Sequence, residues 1–269
     1  MQNPFKLVGN KQRVMDQILP HVLPLAGGRR AAIVGFAGTG AAAIALHEAG
    51  VPIAHLSDGN PHLVAVLQNL RAAPAWFTDR IDLIAREVEQ LPSGNAQRDW
   101  YYRAREDLQA DFDVELFVIL WRMAFNGLVR YTRGGKFSAV GIQKDGAPRR
   151  KVIDRTALEA WGHVLGRLPR AEVRPWQALP KPDAHTWAYH DPPYEGTHDT
   201  FTPGGHPFPH ADWEAYLGTC QGPWAASNSR ILPADHPACT GVPIMRPSNV
   251  SSDGAGRAEV QEWLTIRRA

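Results

Sequence analysis

Apolar positions along the chain change period several times, and each change marks an element. Between residues 11 and 25 they recur at helical spacing (Val14, Ile18, Leu19, Val22), which predicts a first helix. "RAAIVGFAGTG" (30–40) is continuously apolar and ends in glycines, the pattern of a buried strand running into a tight turn. "AAAIALHEAG" (41–50) joins strong helix formers to a terminal glycine and predicts the next helix. "VPIAHLSDGN" (51–60) predicts a second strand tipped by an acid, completing a βαβ unit. After residue 155 the alternation resumes, with a helix over 156–168, a strand over 186–191, a helix over 211–220, a strand over 223–229 and a final strand over 260–268.

Residues 71–150 differ in character. Charge is dense there and aromatics are interleaved, as in "WYYRARED" (100–107), "LFVILWRMAFNGLVRYTRGGKF" (116–137) and "KDGAPRRK" (144–151). The first half of the long middle segment reads as a helix that breaks at "FNG". "RYTRGGKF" reads as a hairpin with Gly134 and Gly135 at its turn. The expectation is an α/β protein with a doubly wound, mostly parallel sheet and an inserted, mainly helical subdomain. The loop "EGTHDTFTPGGHPFPH" (195–210) is long and rich in Gly and Pro, a candidate lid.

Composition narrows the class. The chain of 269 residues is 44% hydrophobic and 21% charged, so it can bury a substantial core. A net charge of +2 permits a polyanionic partner without requiring one. Cys220 and Cys239 form neither a disulfide framework nor a metal spacing and read as reduced thiols. The amino-terminal stretch has no apolar core of signal-peptide length, and no apolar run approaches a membrane span. These features predict a cytoplasmic protein without membrane contact.

Two motifs carry chemistry. Gly38 and Gly40 stand between a strand and a helix, where small residues let the backbone approach a ligand. Asp58 follows Gly38 by 20 residues at the tip of the next strand, where a carboxylate can accept from ribose hydroxyls. The turn alone does not separate a nicotinamide cofactor from S-adenosylmethionine. Asp58 could also simply cap the following helix.

The second motif is "WAYHDPPYEG" (187–196). Two prolines after a strand stiffen the chain, so that the Asp191 carboxylate and the Pro192 carbonyl become two fixed acceptors. Tyr194 adds a flat face. Two acceptors and a ring suit a planar group bearing an NH2, the shape of a pocket for an extruded nucleobase. Acceptors set off the base plane favour a tetrahedral nitrogen and return to it the lone pair that the ring withdraws. A sulfonium methyl donor opposite then permits in-line transfer without a metal.

At these residues the sequence resembles DNA adenine methyltransferases of the Dam type, the alpha class of amino-methyltransferases that use S-adenosylmethionine. The resemblance runs through "PFKLVGNKQRV", "FAGTG", "SDGNP", "YYRARED", "FNGLVRYTRGGKF", "DPPY", "SNS" and "SNVSSDGAGR". It implies methyl transfer to the adenine N6 amine in double-stranded DNA by a Rossmann-like catalytic domain over 1–70 and 151–269. A target-recognition subdomain would span 71–150, with a hairpin near 128–142. Cofactor-binding residues would be Leu7, Lys11, Phe36, Gly38, Gly40, Asp58 and Asp191, and catalytic residues Asp191, Pro192, Pro193 and Tyr194. Lys6, Phe125, Asn126, Leu128 and Arg130 would contact DNA, Phe125 as a wedge in the base stack and Leu128 and Arg130 in the major groove. Such an enzyme would act as a monomer.

The sequence departs from the family pattern in two places. Val34 and Gly35 replace an acid and a proline before the glycine turn, and "FSAVGI" (137–142) replaces a Pro-Phe-Gly ending. The open alternatives are the same fold acting on the cytosine amine or on RNA, a non-catalytic DNA-binding relative, and a nicotinamide oxidoreductase. His185, His190, His198, His206 and His210 carry no HExxH or Cys-His spacing, and the expectation is no metal.

Overall fold

The computed structural model describes residues 2–7, 9–27, 30–142, 145–196, 201–204, 207–232, 239–247 and 259–268. Val8, His198, His206 and "SNVSSDGAGR" (248–257) lie outside the described residues, as do parts of the 195–210 loop. The chain divides into two compact units. One comprises Asn10–Gly59, Ala171–Asp199 and Pro207–Ala269; the other comprises Met1–Gly9, Asn60–Arg170 and Thr200–His206.

In chain order the α-helices are α1 (Met15–Val22), α2 (Ala41–Glu48), α3 (Pro61–Ala72), α4 (Pro74–Glu89), α5 (Gly94–Ala110), α6 (Val114–Met123), α7 (Arg155–Leu165) and α8 (His210–Thr219). The strands are β1 (Ala31–Gly35), β2 (Ile53–Asp58), β3 (Glu172–Val173), β4 (Thr186–His190), β5 (Trp224–Asn228), β6 (Cys239–Pro247) and β7 (Glu259–Arg267).

The first unit holds the seven strands of the described residues in one sheet, ordered β3-β2-β1-β4-β5-β7-β6. From β3 to β5 every pairing is parallel, and β7 runs antiparallel between β5 and β6. This is the doubly wound, mostly parallel arrangement expected from the alternating pattern. Ala32, Ile33 and Val34 of β1 are buried, as are Trp187, Ala188 and Tyr189 of β4. Continuous apolar runs are what a sheet covered on both faces requires. Trp213 of α8 and Trp224 of β5 pack with Ile33, Ala188 and Leu217, each fully buried Trp contributing roughly 2–3 kcal/mol.

Two details differ from the sequence reading. The helix expected over 11–25 is α-helical only from Met15 to Val22, flanked by 3-10 turns at Lys11–Arg13 and Leu23–Ala26. Pro20 and Pro24 supply no N–H donor, and the α-helix gives way just past the first of them. Strand β6 carried no strand signal because Gly241, Pro243 and Pro247 interrupt it; an edge position tolerates prolines that a central strand would not.

The second unit is helical. Asn60 caps α3, its side chain accepting from the His62 and Leu63 amides, with Pro61 at the first helical position. Phe77, Ile81, Ala85 and Val88 give α4 a buried stripe at helical spacing. At Gly162 helix α7 passes so near α3 that an added Cβ would lie 2.7 Å from the Leu70 carbonyl oxygen. After α6 the chain makes a 3-10 turn at Phe125–Gly127, with Asn126 left-handed at φ 54°. A short hairpin follows, in which Tyr131 bridges Phe137 and Gly135 takes φ 80° at the turn.

Candidate active site

The strand order reverses at β1, which has β2 on one side and β4 on the other. Open α/β sheets bind ligands in the crevice outside the carboxyl ends of their strands at such a switch point. Gly35, the last residue of β1, stands opposite Ser57 of β2 and His190 of β4. The glycine turn, Asp58 and the Asp-Pro-Pro-Tyr corner therefore leave from adjacent strand ends.

Beyond Gly35 the backbone turns through left-handed conformations at Phe36 (φ 66°), Gly38 (φ 54°) and Gly40 (φ 81°). For Phe36 this costs about 1–2 kcal/mol. Its ring is held edge-on to Trp213, Phe208 and His190 at 5.1, 5.8 and 6.1 Å. Gly40 caps α2 without a side-chain hydrogen bond, so the first-turn amides of α2 meet no capping side chain. The Asp58 carboxylate accepts the Gly38 amide at 2.8 Å. The helix-capping role weighed for Asp58 falls to Asn60 instead.

Asp191 follows β4 directly. Its Oδ1 lies 2.9 Å from the Nζ of Lys11, whose side chain is 4% exposed against 21% for Asp191. Lys11 Nζ also lies 3.3 Å from Glu262 Oε2 and 4.8 Å from the centre of the Tyr194 ring. The Tyr194 hydroxyl donates to Glu262 Oε2 at 2.9 Å, and Arg246 pairs with Glu262 Oε1. Burial pushes the Asp191 carboxyl up to about 6; the Lys11 ammonium opposes this, and the Glu262 carboxylate adds to it. Burial also drives the Tyr194 phenol well above its ordinary value, so it stays a hydrogen-bond donor. Pro192 is buried and Pro193 half-buried.

The residues expected at DNA lie in the helical unit. Lys6 is exposed. Its carbonyl accepts the Trp121 indole N–H at 3.1 Å, which the Gly127 carbonyl shares at 3.1 Å, while Phe5 stacks on Trp121 at 4.8 Å. Phe125 is 50% exposed. Gly127, Val129 and Tyr131 are buried while Leu128 and Arg130 are half-buried, so the last two project together from the opposite face of the extended chain. Val140, 57% exposed in the segment that departs from the Pro-Phe-Gly pattern, accepts the Phe125 amide N–H with its carbonyl oxygen at 2.7 Å. Leu7 belongs to this unit, whereas Lys11, Phe36, Gly38, Gly40, Asp58 and Asp191 belong to the other.

Sequence reasoning missed Glu262. Its signal was a charged residue in core phase: Glu262, Leu264 and Ile266 alternate along β7, and all three are buried. Trp176 packs against Phe208, Trp213 and Tyr216. Among the described residues no group of three metal-ligating side chains forms, and no helix is long and apolar enough to cross a membrane.

The family model for the D12 class N6 adenine-specific DNA methyltransferases matches residues 8–207. The chain belongs to that family. This D12 class methyltransferase is therefore an enzyme of DNA adenine methylation, with DNA as substrate and a methyl donor as co-substrate. The family membership favours adenine in DNA over the cytosine, RNA and nicotinamide readings. No curated protein matches the chain.

Proposed function

We propose that this methyltransferase moves a methyl group from S-adenosylmethionine to the exocyclic N6 amine of an adenine extruded from duplex DNA at a specific site. The observation that carries the reading is the convergence of the glycine turn, Asp58 and Asp191 at the carboxyl ends of β1, β2 and β4. The chemistry of these residues fits the donor. Asp58 is an acceptor for ribose hydroxyls, the turn from Phe36 to Gly40 offers backbone close to a ligand, and the uncapped start of α2 offers amides. When bound, S-adenosylmethionine supplies an electrophilic methyl on a sulfonium whose charge is lost on transfer.

The chain's own residues act on the amine. The Asp191 carboxylate and the Pro192 carbonyl accept its two N–H groups and draw the nitrogen toward a tetrahedral geometry. The Tyr194 ring packs on the base. With its carboxyl at about 6, Asp191 is ionised at neutral pH and is positioned to take the proton that the methylated nitrogen sheds. Target recognition is assigned to the helical unit. There Phe125 offsets part of the few kcal/mol that base extrusion costs, and Lys6, Asn126, Leu128 and Arg130 meet the duplex.

Long-read sequencing and nucleoside digestion of genomic DNA from an otherwise non-methylating host expressing the chain test this reading. N6-methyladenine at one sequence is expected, and none with Asp191→Ala. A digest free of N6-methyladenine, or methylation retained by a folded Asp191→Ala protein, overturns it.

A further inference from the structure

Glu262 lies beyond the stretch that the family model matches, residues 8–207. We propose that it is a positioning residue of the acidic corner, its buried carboxylate holding the Tyr194 ring and the Lys11 ammonium where both serve Asp191. The inference rests on the role proposed above for Asp191 to Tyr194.

Three observations carry it. First, the strand geometry delivers Glu262 to this edge of the sheet. β7 runs antiparallel, and Trp263 pairs with Asn228, the last residue of β5. Glu262 thus sits one residue past the carboxyl end of β5, on the edge from which Asp191 leaves β4. Second, a carboxylate in core phase beside Leu264 and Ile266 is costly unless it is fully paired. Packing alone would be served better by an apolar residue. Third, its two oxygens divide their partners. Oε1 takes Arg246, while Oε2 takes the Tyr194 hydroxyl at 2.9 Å and faces Lys11 Nζ at 3.3 Å. Lys11 is thereby held between Asp191 Oδ1 at 2.9 Å, Glu262 and the Tyr194 ring at 4.8 Å. Without Glu262 the phenol loses its Oε2 contact on the β7 side and Lys11 loses one of the two carboxylates that hold it, so both shift toward Asp191.

The ionisable groups facing Asp191 are Lys11 from the amino-terminal turn, Glu262 from β7, Tyr194 from its own corner and Tyr189 from β4. Arg246 of β6 acts through Glu262. Neutralising Glu262 leaves the two cations with one fewer anion and eases ionisation of Asp191.

The test is single-turnover transfer from tritiated S-adenosylmethionine to genomic DNA of a host lacking N6-methyladenine, from about pH 5 to about pH 8. Glu262→Gln is expected to lower the plateau rate about tenfold to a hundredfold with donor and DNA affinities unchanged. Its acid limb should move below the wild-type position. Tyr194→Phe, which removes only the hydroxyl, is expected to lower the plateau rate in a protein that still folds, with a melting point lowered by the unpaired Glu262 oxygen. Glu262→Gln with a wild-type plateau and limb, alongside an inactive Asp191→Ala, overturns this inference and leaves the corner assignment standing. An active Asp191→Ala removes the corner assignment itself. If Glu262→Gln fails to fold, Tyr194→Phe decides, and a wild-type rate there overturns the inference.

Discussion

The Lys11 ammonium stands 2.9 Å from the Asp191 carboxylate and 4.8 Å from the centre of the Tyr194 ring, so one cation serves both ends of the diproline corner. Burial nevertheless outweighs it and leaves the Asp191 carboxyl at about 6. In the proposed reaction the ionised form accepts the amine. Methyl transfer is therefore expected to be flat at neutral pH and to fall about tenfold per pH unit below about 6. Lys11→Met removes the group that lowers the carboxyl, so its acid limb should lie at higher pH than wild type. A limb unmoved in Lys11→Met would show that the pair does not set the ionisation of Asp191.

His190 ends β4, and neither ring nitrogen has a hydrogen-bond partner among the described residues. Burial pushes the imidazole down from 6.5 to about 3. Between those values the unfolded chain holds a proton that the folded one lacks, so this group withdraws stability as pH falls, by up to about 1.4 kcal/mol per unit. Asp191 works in the opposite sense, because its folded value of about 6 lies above the ordinary 3.8. From about 6 down to 3.8 the folded chain holds the extra proton and gains stability as pH falls. The two slopes oppose each other over that window. His190→Leu should unmask the Asp191 slope: relative to wild type, its unfolding free energy from denaturant titration should rise between pH 6 and pH 4. Parallel curves for the two proteins would contradict this.

The parts of the site legible in the sequence are those in which local chemistry and global position coincide. A glycine turn after a buried strand, and a diproline after another, declare themselves because proline and glycine restrict or release the backbone wherever they stand. Asp58 was ambiguous between ligand and cap. Only the structure gives the cap to Asn60 and turns Asp58 toward the Gly38 amide. Glu262 was hidden for a topological reason. Strand-tip reasoning looks at residues that end a strand, and an antiparallel β7 brings a residue from its first half to the same edge. Leu7 and Lys11 read as one motif, yet a boundary between compact units falls after Gly9, which spacing along the chain cannot reveal.

Gly127 is expected to tolerate no side chain. An added Cβ would lie 1.8 Å from the Lys6 carbonyl oxygen and 2.6 Å from its carbon, and both are backbone atoms that cannot yield cheaply. The residue also sits at φ 67°, where strain alone costs an alanine about 1–3 kcal/mol. Gly127→Ala should therefore release the segment around Phe5 and Lys6 from Trp121, seen as faster amide exchange there. Calorimetric binding of S-adenosylmethionine should persist, weakened at most by the displaced Leu7, because Asp58 and the glycine turn belong to the other compact unit. Loss of donor binding in this variant would contradict that division of roles.

Arg130 and Leu128 share the half-buried phase of the hairpin's first arm, opposite buried Val129 and Tyr131. A guanidinium in that position can bond guanine bidentately, and a leucine can cover a thymine methyl; each bidentate contact contributes about 1–3 kcal/mol of discrimination. Arg130→Ala should therefore broaden the set of methylated sequences at one position more than it slows turnover on the preferred site. Arg130→Lys separates base reading from charge. A lysine retains attraction to phosphate but loses the planar fork, so it should restore overall DNA affinity without restoring sequence choice. Long-read sequencing of DNA methylated by each variant reads both quantities. Uniform weakening across all sequences in Arg130→Ala, fully rescued by lysine, would place Arg130 on the phosphate backbone instead of a base.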